Sequence, residues 1–211
     1  MRLTATYDSK AQTTTIAFES TCYTDGFPLV DRAIFYNADF DMNSPAVPLA
    51  GAILFGACCG ESIEFNGPRL SLDVAAALQI LLPHLRAVAA VDGMKRDLFT
   101  QGIEVYCTEG SGRPAEGIEL RPGAVHLSSV TWSGDFPAAQ GGGSSDLRRG
   151  TIFTNAALVA GDSGLVSIAI GLLAGGSRAG RLHVRDSGRI PRLDAIKAAL
   201  FSVGVELRTA A

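Results

Sequence analysis

The sequence predicts an α/β protein made of two pseudo-repeated βαβαββ-like units, with buried, small-residue helices packed on mixed sheets. Three observations lead there. Short segments that alternate apolar and polar residues recur along the chain. Two runs, residues 49–59 and 165–174, are apolar nearly all round and rich in Ala and Gly, so neither suits a solvated surface. The order helix, strand, turn, helix around the first run also recurs around the second. Of 211 residues, 47% are hydrophobic and 18% charged, enough apolar mass for a self-sufficient core and too little charge for a disordered chain.

The elements follow in order. "RLTATY" and "TTTIAF" alternate, and "DSKAQ" between them supplies turn residues, so the chain opens with a hairpin. "RAIFYNADF" reads as a third strand. Residues 49–59 read as a buried helix, "SIEFNG" as a strand and residues 71–86 as a second helix. Ser71 is placed to cap that helix, Asp73 lies in its first turn, and Val74, Leu78, Leu81 and Leu82 form one apolar stripe. Pro83 ends or kinks it. "GIEVYC" closes a first unit, residues 1–107. Residues 108–150 form an irregular connection punctuated by Gly, Pro and Ser, with one strand, "AVHLSSVTW", and a flexible tract, "QGGGSSD". The second unit, residues 151–211, reads as a strand over "TIFTNAALV", a buried helix over 165–174, a strand "GRLHVRD", an amphipathic helix over 193–203 and a closing strand "VGVELR".

Side by side, "LAGAILFGACCGESIEFNGPRLSLDVAAAL" (residues 49–78) and "VSIAIGLLAGGSRAGRLHVRDSGRIPRLDAIKAAL" (residues 166–200) share a plan. Each has an apolar small-residue helix, a glycine stop, an alternating strand, a Leu-Asp pair and an Ala-rich helix. A supersecondary unit repeated in this way implies duplication. Together with "GDSGLVSIAIGLLAGG", "RLHVRD" and "LDAIKAALFSVGVEL", the plan resembles the repeating unit of the enolpyruvyl transferases, the 5-enolpyruvylshikimate-3-phosphate synthase family. "GESIEFNGPRLSLD" also resembles the accessory domain preceding the nucleotide-binding part of QueC-like proteins. The enolpyruvyl likeness implies helices enclosed by strands and, in active members, a phosphorylated anionic substrate. Those members carry Gly-x-Lys-Ser and a following arginine where this chain has Ser163 and Ile168, so the charges that hold phosphate are missing.

Other chemistry is sparse. Gly161-Asp162-Ser163-Gly164 looks like the surroundings of a serine nucleophile, but none of His84, His126 and His183 lies in a motif typical of its base. The stretch is read instead as a strand-to-helix turn, with Asp162 or Ser163 as cap. Cys58 and Cys59 are adjacent, without the gap that lets two thiolates share a zinc ion, and are read as small core residues. No catalytic residue, cofactor or metal is assigned. Arg178, Arg181, Arg185, Arg189 and Arg192, with Asp186 among them, form a basic group that is either a solvated face or a site for an anion or an acidic partner. Net charge is −3, which argues against nucleic acid. The longest apolar run, residues 46–60, is too short and Gly-rich for a membrane span, and the first residues lack the apolar core of a signal peptide. These features lead to a cytoplasmic chain that is a non-catalytic or partner-dependent subunit in a homo-oligomer or with a companion protein. A small-molecule transferase completed by a second chain is the alternative, and a Ser163 hydrolase the third reading.

Overall fold

A computed structural model describes residues 1–36, 38, 40–67, 70–89, 91, 102–109, 125–131, 149–185 and 190–210. Strands β1 (Arg2–Asp8), β2 (Thr13–Glu19) and β3 (Arg32–Tyr36) form an antiparallel meander. Asp8 makes the first turn by accepting hydrogen bonds from the amides of Lys10 and Ala11. Helix α1 (Ala46–Phe55) and a 3-10 turn (Gly56–Cys58) lead to β4 (Ser62–Asn66), which runs parallel to β1. Helix α2 (Leu72–Leu81) then leads to the two-residue strand β5 (Ala87–Val88). Ser71 caps α2 as expected, accepting from Val74 N. The helix stops five residues short of Arg86 because Leu82 precedes Pro83 and takes φ −127°, ψ 80°; the proline ring disfavours helical backbone at the residue before it.

The remaining strands are β6 (Ile103–Glu109), β7 (Val125–Thr131) and β8 (Arg149–Thr154), followed after two helices by β9 (Ala179–Arg185) and, last, β10 (Glu206–Ala210). The helices are α3 (Ala156–Ala160), α4 (Ser163–Gly175) and α5 (Leu193–Ser202). Helix α3 corrects the strand expected to run on through "NAALV". The Thr154 hydroxyl donates to Ile34 O and accepts from Ala156 N, while the Asn155 side chain accepts from Ile34 N and donates to Arg32 O. Two side chains thus occupy the end of β3, and the main chain turns away into a helix. Gly161, at φ +68°, stops that helix in the left-handed conformation that glycine adopts without steric cost.

Among the described residues, the ten strands belong to one mixed sheet, ordered β10-β9-β6-β7-β8-β3-β2-β1-β4-β5. The antiparallel β3–β8 pair joins the two halves. Outward from it, each half runs third strand, second, first, then the strand after its long buried helix, then its last strand. The halves differ in the middle strand: β2 is antiparallel to its neighbours and β7 parallel. Strand β6 starts inside residues 1–107 yet is hydrogen-bonded between β9 and β7, strands of the later half.

Every residue of α1 and nearly every residue of α4 is buried, as their composition demands. The two helices pack on each other, and α2 packs on α5. Since α2 and α5 directly precede the outermost strands, their meeting means that the sheet curls around the α1–α4 pair. Glycines set the closest approaches. A Cβ on Gly51 would meet Leu3 Cδ1 at 2.8 Å, and one on Gly171 would meet Cys107 Sγ at 3.1 Å, so each inner helix lies nearly on the first strand of its half.

Candidate functional site

The five arginines read from the sequence do not form one cluster. Strand β9 buries Leu182 and Val184 against the helices, so Arg181, His183 and Arg185 share the opposite, outer face. Arg181 is paired twice there: its Nη1 donates to Glu104 of β6, and its Nε donates to Glu206 of β10 at 2.9 Å. Glu206 also accepts from Arg208 at 2.8 Å. Arg178 and Arg185 are exposed and have no ion pair among the described residues. Arg189 and Asp186 lie outside the described residues, as do Trp132 and the "QGGGSSD" tract.

Arg192 is elsewhere. Its backbone is left-handed at φ +56°, and its half-buried guanidinium reaches the C-terminal end of α1, where Nη2 lies 3.4 Å from Ile53 O. A Cβ on Gly56 would come within 2.9 Å of Nη1, so the glycine makes room for the cation. Burial pushes the Arg192 pKa down, and no carboxylate faces it among the described residues. The unsatisfied carbonyls at a helix C-terminus carry partial negative charge, which explains a cation there. Arg192 thus ties the later half of the chain to the first inner helix.

Beside Arg181, the outer face carries a compact group with chemistry of its own. The Tyr106 hydroxyl donates to Glu104 Oε2 at 2.8 Å, and its ring stacks on His183 with centroids 4.2 Å apart and planes within 8°. His183 Nε2 is buried, has no hydrogen-bond partner and lies 3.9 Å from Glu104 Oε2. Burial lowers the His183 pKa against the opposing pull of Glu104, which favours the neutral ring. The group is a satisfied acid–tyrosine pair beside a stacked imidazole.

Ser163 is the first residue of α4, and the cap is Asp162, whose Oδ1 accepts from Leu165 N at 3.1 Å. The turn therefore joins two helices, α3 and α4, where a strand-to-helix turn was expected. Among the described residues no hydrogen bond links Ser163 to a histidine. His84 Nε2 lies on Cys59 O at 2.9 Å, and His183 is on the outer sheet face. Cys59 is buried, with its pKa pushed up to about 11, while Cys58 is only half-buried. Among the described residues no group of three or more His, Cys, Asp or Glu could hold a metal ion, and no helix is long and apolar enough to cross a membrane.

The most unusual surface is a segment that no sequence pattern marks as a site. Between β2 and β3, Tyr23, Phe27 and Leu29 are 99%, 86% and 93% exposed. The base of this segment is tied down by Asp25, whose side chain is fully buried. Asp25 Oδ1 accepts from Gly60 N at 2.8 Å and from the Met1 amino group at 3.0 Å; Oδ2 accepts from the amides of Thr21 and Cys22. Gly26 N donates to Cys58 O, and Phe18 N to Asp31 O. Burial alone would raise the Asp25 pKa, but these donors override it and hold the carboxyl well below the usual carboxylate range. The one signal in the sequence is "YTDGFPL", where large apolar residues sit among the turn residues Asp, Gly and Pro and not in an alternating strand.

Comparison with family models, curated proteins and solved structures gave no match to this chain.

Proposed function

We propose that this chain is a non-catalytic or partner-dependent subunit that uses its α/β scaffold for assembly and binding, with residues 20–31 as a contact surface. The observation that carries the reading is the exposure of Tyr23, Phe27 and Leu29 on a segment whose root is fixed by the buried Asp25 carboxylate. Burying a large apolar side chain that water now covers is worth roughly 1.5–3 kcal/mol. A segment already held in place loses little entropy on docking, so most of that gain is available to binding. Aromatic anchors of this kind dominate many protein interfaces.

Arg181 is paired with both Glu104 and Glu206, so two carboxylates offset the charge a phosphorylated ligand would need, which supports binding over transfer chemistry. The enolpyruvyl-transferase likeness enters this proposal as a scaffold and not as a reaction. Descent of the two halves from one duplicated unit is part of the same proposal, supported by their shared strand order. The four free thiols fit a reducing cytoplasm.

Photo-crosslinking in cells of the source organism tests the reading. A photoreactive phenylalanine analogue at position 27 should give saturable crosslinks to one partner, and the same analogue at exposed position 10, in the β1–β2 turn, should not. Equal crosslinking from both positions would refute the contact surface.

A further inference from the structure

Strand β10 is the last of the described strands at one side of the sheet. Among the described strands it is hydrogen-bonded only to β9, so one row of its amide and carbonyl groups faces away from the sheet. It reads Glu206-Leu207-Arg208-Thr209-Ala210. Leu207 is buried on the helix side, while Glu206 and Arg208 share the outer face, about half-exposed. Phe201, 77% exposed, lies just before the strand, and its carbonyl accepts from Gly204 in the turn that leads into β10. The two halves of the chain already join by antiparallel pairing of β3 with β8.

We infer that two copies of this chain pair antiparallel along β10, with the two-fold axis at Leu207. The inference deepens the assembly reading by naming a second copy as one partner. The charges select both the occupant and the register. For the sheet to continue with its helix sides aligned, residues placed opposite each other must have numbers that add to an even total, so the axis must pass through a residue. An axis at 206 sets two glutamates face to face, and an axis at 208 sets two arginines face to face; like charges directly opposite are destabilising. An axis at 207 places Glu206 opposite Arg208 of the second copy, twice by symmetry, and Leu207 opposite Leu207 on the apolar side. The triplet Glu-Leu-Arg is therefore complementary to itself in one register, as an isologous dimer interface requires. Pairing also satisfies the open row of backbone groups.

Sedimentation of the full-length chain tests this. The unaltered protein should sediment as a dimer. E206R and R208E should each be monomeric, because each places like charges opposite one another at both contacts. Mixed in equal amounts they should form a dimer again. The E206R chain presents arginine at both positions and the R208E chain presents glutamate at both, so every contact between them joins opposite charges. That recovery also shows that both variants are folded. An unaltered protein that stays monomeric, a single variant that stays dimeric, or a mixture that stays monomeric would each overturn the pairing. None of these outcomes bears on crosslinking at position 27, so the two readings fail separately.

Discussion

The amide of Gly60 donates to Asp25 Oδ1 at 2.8 Å, joining the turn after α1 to the root of the exposed segment 35 residues earlier in the chain. The fit is tight, since a Cβ on Gly60 would lie 2.3 Å from Thr24 Oγ1 and 2.8 Å from Asp25 Oδ1. Asp25 is charged, buried and met only by donors. Asp25→Asn turns an amide NH2 toward two of them and leaves the Met1 ammonium without its counter-charge. Loss of about 3 kcal/mol in urea unfolding is expected, the scale for breaking a buried ion pair from one side. The pH dependence follows from the lowered pKa. A carboxyl depressed in the fold contributes stability above its unfolded value, near 3.8, and that contribution is lost as pH falls further. The unaltered protein should therefore lose stability below about pH 4 more steeply than Asp25→Asn.

At the start of α4, cap and neighbour separate cleanly. Asp162 accepts from Leu165 N, whereas Ser163 is the first helical residue. Asp162→Ala should cost about 1 kcal/mol in thermal or urea unfolding. Ser163→Ala should cost well under that and leave any esterase signal of the preparation unchanged. An esterase activity that vanished in Ser163→Ala with unchanged melting would restore the serine as a nucleophile.

Much of the fold is legible because it rests on periodicity. The uniform apolarity of residues 49–59 and 165–174 marks the two inner helices, and alternation marks the first meander, β4, β9 and β10. What the patterns miss depends on side chains replacing backbone. Thr154 and Asn155 bond to the end of β3, so "NAALV" becomes a helix although it continues an apolar run. The candidate site is legible only in part. Arg181 and Arg185 do share a strand face, but the partners of Arg181 come from residues 104 and 206, far away in sequence. Arg192 leaves the group because the turn before α5 aims it at α1. Asp25 looks like an ordinary turn aspartate until its donors from residues 1, 21, 22 and 60 converge on it.

His183 should make the outer face of the sheet sensitive to mild acid. Burial lowers its pKa in the fold, so protonation is disfavoured there relative to the unfolded chain. Stability from this residue is complete above the unfolded value, near 6.5, and falls as pH drops through that value toward the folded one. His183→Phe keeps a ring on Tyr106 and removes the proton. Its unfolding free energy should change less between about pH 7 and pH 5 than that of the unaltered protein. Parallel curves for the two proteins would place the acid sensitivity elsewhere.

The inner and outer helices should respond in opposite ways to the same change of chemistry. Ile170 lies in α4, is 1% exposed, and belongs to a helix that packs on α1, β6 and β9. A carboxylate there would lose its hydration with no donor to replace it. Ile170→Asp should therefore leave the protein unfolded, read as loss of the cooperative transition in urea. Lys197 lies on α5, whose buried stripe is Ile196, Ala199 and Leu200, and it is only partly covered. No ion pair is broken by changing it, since none joins Lys197 to a described carboxylate. Lys197→Asp should stay within roughly 0.5 kcal/mol of the unaltered protein, as surface substitutions away from such features do. If Ile170→Asp folds with a normal transition, α4 is not an inner helix. If Lys197→Asp unfolds the chain, α5 is not an outer one.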